Sequence, residues 1–281
     1  QGGVSASPFD SLNLGLAGDD PAAVAVNLDR LRRELGLKAL VGLRQVHGTA
    51  VVAITAAGLA ARRADVAAGQ TGSFVPGEAD VIAAGQAASP IPGQAAAVAF
   101  RPPDSEQSSG RADGSAAAGL WPAFAEGDAL VTAERGVGLL VRAADCVPIL
   151  LADPEAGLVG AAHAGRAGLL AGVVEAVVAA LRSRGARRLT AWIGPYICPA
   201  CYELPAAMAA AAWARLPAAR AKSARGAPAL DLGAGAAAEL GRLGCAVVRC
   251  DPCTAEAPDL FFSYRRDGAT GRLGGVVWLA P

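Results

Sequence analysis

From about Ala57 to Glu126 the chain loses the apolar periodicity that marks its two flanks. The stretch is rich in Ala, Gly, Pro, Ser and Gln, and runs such as Arg101-Pro102-Pro103-Asp104-Ser105 cannot build a packed face. A structureless segment of this length is foreign to a compact core. It therefore reads as a largely flexible insertion, about 57–126, within one domain spanning 1–281. A linker between two domains is the competing reading. Insertion is preferred because the residues able to do chemistry stand on both sides and read as one set.

The flanks carry clear local signals. Asp20-Pro21 sets up a helix start, and Val24, Leu28, Leu31 and Leu35 follow at helical spacing up to Gly36. Leu40–Leu43 and Ala50–Ile54 read as short strands with His47 in the turn between them. Order returns at Asp128. Gly138–Val141, Val147–Leu151, Leu158–Ala162 and Leu189–Ile193 then read as strands, and Leu169–Arg182 as an apolar helix. Helices are also expected from Pro205 to Leu216 and from an Asp231 cap to Leu243. Ala246–Arg249, Phe261–Tyr264 and Gly274–Leu279 close the chain as strands. Short strands and helices in mixed order predict an α+β fold, a mixed α/β sandwich with mixed β-sheets.

Composition narrows the function. Hydrophobic residues make up 53% and charged residues 18%, which is the profile of a globular chain. The 25 basic and 25 acidic residues cancel, so there is no charge footprint for nucleic acid or an anionic membrane. No apolar run reaches the roughly 18 residues that a bilayer span needs. Six cysteines in 281 residues do not resemble a secreted disulfide scaffold, and the cytoplasm is the expected compartment.

The chain has only two histidines, His47 and His163, each at a strand end beside glycine. Cys146 occupies a similar strand end. Two imidazoles and a thiolate suit zinc, and three protein ligands leave a fourth position for water or substrate. Two ordinary histidines and a buried free cysteine account for the same residues, and their wide separation supplies no spacing argument. Cys198-Pro199-Ala200-Cys201 and Cys250-Asp251-Pro252-Cys253 compete as a four-thiolate site. Their 48-residue separation exceeds the roughly 15 to 20 residues of zinc ribbons, which favours buried structural cysteines. A cytidine-type deaminase is excluded, because neither histidine is followed by the H-x-E glutamate. In Phe262–Arg272, Asp267-Gly268 reads as a turn between strands, with Arg265 and Arg266 on opposite faces.

Taken in order, several stretches resemble the laccase-domain family, formerly called multicopper polyphenol oxidase and described as zinc-dependent purine nucleoside phosphorylase. They are Gly2–Ser5 with Ser11–Gly15, Leu43-Arg44-Gln45-Val46-His47-Gly48, Asp128–Thr132, Ala144–Pro148, His163-Ala164-Gly165, Cys201-Tyr202-Glu203 and Phe262–Arg272. The resemblance implies zinc held by His47, Cys146 and His163. It also implies phosphorolysis of purine nucleosides and methylthioadenosine, and adenosine deamination. Bacterial relatives are also linked to removing a misplaced L-serine from peptidoglycan precursors. The implied fold is a mixed α/β sandwich related to that of a toxin deamidase. The family's HAGWRG reads His163-Ala164-Gly165-Arg166-Ala167-Gly168 here, so an arginine is kept one position early.

On this reading the partners are a purine nucleoside and phosphate. Arg44, Arg166 and Arg265 or Arg266 are the expected phosphate contacts, and Asn13 a substrate hydrogen-bonder. Asp145, beside the Cys146 ligand, is expected as a proton shuttle or as the anchor of a histidine. A metal-free cysteine amidase, with Cys146 as nucleophile and His163 as base, uses the same residues. A non-catalytic metal-binding relative is the remaining alternative. Several coppers cannot be held by two histidines, so a multicopper oxidase is rejected.

Overall fold

The computed structural model describes residues 2–10, 12–15, 18–67, 96–100, 125–250 and 252–281, with the backbone alone for 62–67 and 96–100. Helix α1, Pro21–Glu34, starts as its cap predicts: the Asp20 carboxylate accepts from the Ala22 N–H at 3.0 Å. Its Val24 and Leu28 are buried, and Gly36 at φ 63° turns the chain out of the helix. Beyond it lie β1 (Ala39–Val41), β2 (Val51–Ile54), α2 (Ala56–Ala67) and β3 (Ala96–Phe100). A run of strands follows: β4 (Ala129–Thr132), β5 (Val137–Ala143), β6 (Val147–Asp153) and β7 (Leu158–Ala164). Then come α3 (Arg166–Ala171), α4 (Val173–Arg182), β8 (Thr190–Ile193) and α5 (Ala206–Arg215). The chain closes with β9 (Arg220–Lys222), β10 (Pro228–Leu230), α6 (Leu232–Arg242), β11 (Ala246–Arg249), α7 (Tyr264–Asp267) and β12 (Leu273–Leu279).

Two mixed sheets form, a four-stranded one ordered β1-β5-β12-β3 and a six-stranded one ordered β11-β8-β6-β7-β4-β2. They face each other across a core that includes Leu139, Val141, Val277, Leu130, Leu150 and Val159. Alternation along β6 divides its side chains: Leu150 and Ala152 point into that core. Val147, Ile149 and Leu151 face a larger core with Val174, Val177 and Leu181 of α4 and Leu240 of α6. On the other side, α1 lays Val24 and Leu28 on Leu140 and Val276 of the smaller sheet. Helix, sheet, sheet, helix is the resulting order, an α+β sandwich as the pattern predicted.

Pairing directions place the chemistry at one edge of the six-stranded sheet. β2 and β4 run parallel, β7 runs against both β4 and β6, and β8 runs against β6 with β11 parallel to it. The starts of β2, β4 and β6 and the ends of β7, β8 and β11 therefore share that edge. His47, Asp128, Cys146 and His163 all sit at these strand ends.

Two stretches depart from expectation. The single helix from Leu169 to Arg182 is broken at Gly172, whose φ of 102° is left-handed, into α3 and α4. Phe261–Tyr264 is not a strand, and Asp267-Gly268 does not turn a hairpin. Ser263 caps the one-turn helix α7 by accepting from Arg266 N–H at 3.2 Å, and Gly268 ends it. Within 57–126, most of α2 and all of β3 are regular structure, and β3 pairs antiparallel with β12. Residues 68–95 and 101–124 of that segment lie outside the described residues.

Candidate metal centre

His47 has φ 61°, a left-handed conformation that a non-glycine residue rarely adopts. One carboxylate holds it there. Asp128, fully buried just before β4, accepts from the N–H groups of Val46, His47 and Gly48 at 3.2, 3.0 and 2.6 Å. It also pairs with His163 Nδ1 at 2.8 Å. A carboxylate only accepts, so His163 Nδ1 donates and its Nε2 is left for a metal. Burial pushes the Asp128 carboxyl up, but the His163 contact and the loop N–H groups outweigh it and hold it below its ordinary range. Behind the loop, the Gln45 amide brackets Arg142, donating to its carbonyl at 2.7 Å and accepting from its N–H at 2.9 Å.

Cys146 approaches from the start of β6. Its Sγ lies 3.7 Å from His47 Nε2, and the ligand atoms of His47, Cys146 and His163 are all within 4.8 Å of one another. The imidazole rings meet edge to face, 4.8 Å between centroids. His163 is buried, Cys146 half-buried and His47 exposed, so the trio is open on one side. Glycine makes the room. A Cβ on Gly165 would stand 2.5 Å from His47 Cδ2 and 3.0 Å from Cys146 Sγ, and one on Gly168 would meet the Gly48 carbonyl at 2.9 Å.

Burial pushes the Cys146 thiol up, yet hydrogen bonding to His163 and His47 and their charge bring it down to about 6. Burial lowers His163, but Asp128 and Cys146 together raise it to about 9. Without metal the pair is a thiolate beside an imidazolium. Two imidazoles and a thiolate around a cradle that a single Cβ would fill suit zinc, with a coordination place to spare.

The other expected site residues divide. Asp145, at φ 90°, anchors no histidine: its carboxylate accepts from Thr254 Oγ1 at 2.7 Å and Arg265 N–H at 2.6 Å, and Asp128 serves the histidine instead. Asn13 is not open to substrate, because its amide is saturated. It donates to the Gly15 carbonyl and Asp19, and accepts from Gly15 and Arg272 N–H groups. Arg266 is likewise spent on the carbonyls of Thr254, Ala255 and Phe261 and on Asp267. Arg44 is exposed and paired with Glu126. Arg265 lies over the Tyr202 ring at 4.9 Å. Burial raises the Tyr202 hydroxyl, while Arg166, by charge and a hydrogen bond, pulls it the other way and the Cys146 charge adds to the rise. Arg265 therefore stacks on Tyr202, and the charges of Arg166 and Cys146 both bear on the Tyr202 hydroxyl. Asp128 and Tyr202 carry no site role in the sequence reading, although both lie in the stretches it matched.

The fold and this edge define a sandwich protein with a His–Cys–His centre. A profile of the multi-copper polyphenol oxidoreductase laccase family matches residues 1–89 and 103–280, and the chain belongs to that family. It is 42% identical to purine nucleoside phosphorylase SCO2081 of Streptomyces coelicolor, covering 99% of this chain and 92% of the relative. It is 40% identical to purine nucleoside phosphorylase ORF3 of Streptomyces griseus, covering 99% and 91%. The crystal structure of Neisseria meningitidis protein NMB0706 is 28% identical and superposes with a TM-score of 0.70, over 100% of this chain and 91% of that one.

Two expectations test the centre. Gly165→Ala should weaken zinc binding by about tenfold or more while circular dichroism stays that of the parent; unchanged affinity in a competition titration contradicts the cradle. In metal-stripped protein, alkylation of Cys146, followed by peptide mass spectrometry, should rise with pH around a midpoint near 6, because the thiolate is the nucleophile. A midpoint at the ordinary thiol value of about 8.5 contradicts the pairing with the imidazoles.

Proposed function

We propose that this chain is a zinc-dependent purine nucleoside phosphorylase, with phosphorolysis of methylthioadenosine and deamination of adenosine as further activities of the same centre. The observation that carries it is the left-handed His47, held against the Cys146 sulfur opposite a carboxylate-anchored His163. The two relatives named as purine nucleoside phosphorylases, matched over nearly their whole length, support the substrate class. Six unpaired cysteines suit a reducing cytoplasm. Among the described residues no helix is long and apolar enough to cross a membrane.

His47, Cys146 and His163 would hold the zinc, which supplies Lewis-acid charge when bound. In phosphorolysis a phosphate oxygen bonds to the anomeric carbon as the glycosidic C–N bond breaks, and the purine leaves with a proton. Arg166 and Arg265 would be the cations that hold that phosphate. The Tyr202 hydroxyl would donate to a phosphate oxygen or to the ribose. Asp128 keeps His163 in a single tautomer and orientation throughout. In deamination, water adds to the ring carbon bearing the amino group and ammonia leaves.

The relay Asp128–His163–Cys146 also favours a second reading, a cysteine amidase with a thiolate nucleophile, of the kind that would remove a misplaced L-serine from a peptidoglycan precursor. That reading gives His47 no task. Zinc-loaded protein incubated with adenosine, inosine or methylthioadenosine should release purine base only when phosphate is present, with inosine forming from adenosine without it. His47→Ala should lower both rates by about a hundredfold or more. Activity that survives chelation and His47→Ala but not thiol alkylation selects a cysteine nucleophile, and no base release leaves the amidase or a non-catalytic metal-binding relative.

A further inference from the structure

A second cluster of ligand-type side chains lies at the same sheet edge, outside the centre described above. Cys198 and Cys201 follow β8, and Cys253 and Glu256 follow β11, the strand beside it. The four potential ligand atoms are all within 4.8 Å of one another. Glu256 Oε1 stands 3.5 Å from Cys198 Sγ and 3.4 Å from Cys201 Sγ. A tetrahedral zinc with Zn–S of about 2.3 Å and Zn–O of about 2.0 Å puts sulfur and oxygen about 3.5 Å apart. Cys250, the partner that spacing gives Cys253, is exposed and outside the group.

We propose that Cys198, Cys201, Cys253 and Glu256 form a second, structural zinc site. The backbone gathers the three sulfurs. Cys201 N–H donates to the Cys198 carbonyl at 3.1 Å, closing the Cys198–Cys201 turn so that both sulfurs serve one point. Cys198 N–H donates to Cys253 Sγ at 3.3 Å, tying the two loops together at the cluster. Three thiolates and a carboxylate exceed the charge of one divalent ion by two. Arg265 supplies cationic charge at the Cys201 carbonyl and Arg266 at the Thr254 carbonyl, both in the ligand-bearing loops. Binding releases the thiol protons to solvent and leaves no open coordination place, which marks the site as structural.

Its role follows from what the two loops hold. Ile197 N–H donates to the Asp145 carbonyl at 3.0 Å, and Thr254 Oγ1 donates to the Asp145 carboxylate at 2.7 Å. Zinc at this corner would clamp both loops behind Asp145, and so fix the left-handed turn that presents Cys146.

Zinc per chain, measured by elemental analysis of protein purified without chelator, tests the site separately from the first centre. Two zinc ions are expected in the parent, one in Cys146→Ser and one in Cys201→Ser. If only the second site is real, the parent holds one zinc that Cys146→Ser keeps and Cys201→Ser loses. An unchanged zinc content in well-folded Cys201→Ser overturns the proposal, as does a native disulfide among Cys198, Cys201 and Cys253 found by mass spectrometry. Should Cys201→Ser not fold, the Cys146→Ser chain decides. One zinc, with Cys198, Cys201 and Cys253 protected from alkylation until chelator is added, upholds the site. No zinc, or immediate alkylation of the three, rejects it.

Discussion

A single buried carboxylate organises the functional edge of this protein. Asp128 accepts from three successive N–H groups of the His47 loop and from the ring of His163. It therefore fixes two residues that lie 116 positions apart in the chain and would otherwise have no reason to meet. Removing it would leave buried donors without an acceptor, a loss that commonly reaches about 3–5 kcal/mol when a charged partner is stranded. The loop conformation, the imidazole tautomer and the approach to Cys146 all depend on this group.

The second support is made of absence of side chain. Gly165 and Gly168 lie where β7 turns into α3, and each clears a path for the His47 loop to close on the sulfur. His47 and Asp145, on either side of the centre, both carry left-handed backbone, and each is held by carboxylate hydrogen bonds. Strain so placed is held by the rigid sheet beneath, where β6 and β7 are buried along their entire length. The loops that carry the cysteine and glutamate cluster also hold Asp145, through Ile197 N–H and Thr254 Oγ1.

Much of this was legible in the sequence, for reasons that can be named. The sandwich follows from strands of length three to seven and from capped helices such as the one that Asp20 starts. His47, Cys146 and His163 could be singled out because the chain has only two histidines, and each lies beside a short apolar strand. Asp128 gave no such signal, since one acidic residue before an apolar run is also an ordinary strand start. Asn13 and Arg266 show the opposite case, since both hydrogen-bond within the chain. A polar residue inside a recognisable motif can satisfy its own backbone as readily as a ligand, and only coordinates separate the two. The aromatic run Phe261, Phe262 and Tyr264 has strand propensity, but Ser263 caps a helical turn within it. Cysteine spacing paired Cys250 with Cys253, whereas the parallel β8–β11 pair brings Cys198 and Cys201 to Cys253.

The trio is open on the side of His47, which is exposed, and closed on the side of His163, which is buried. All of this rests on the three side chains sharing one ion. Diffraction from zinc-loaded crystals at the zinc absorption edge measures that directly. The expected map has an anomalous peak about 2.0–2.1 Å from His47 Nε2 and His163 Nε2 and about 2.3 Å from Cys146 Sγ, with Asp128 still on His163 Nδ1. A map with no peak between these atoms, or with His47 turned away from the sulfur, would contradict the metal centre and the chemistry assigned to it.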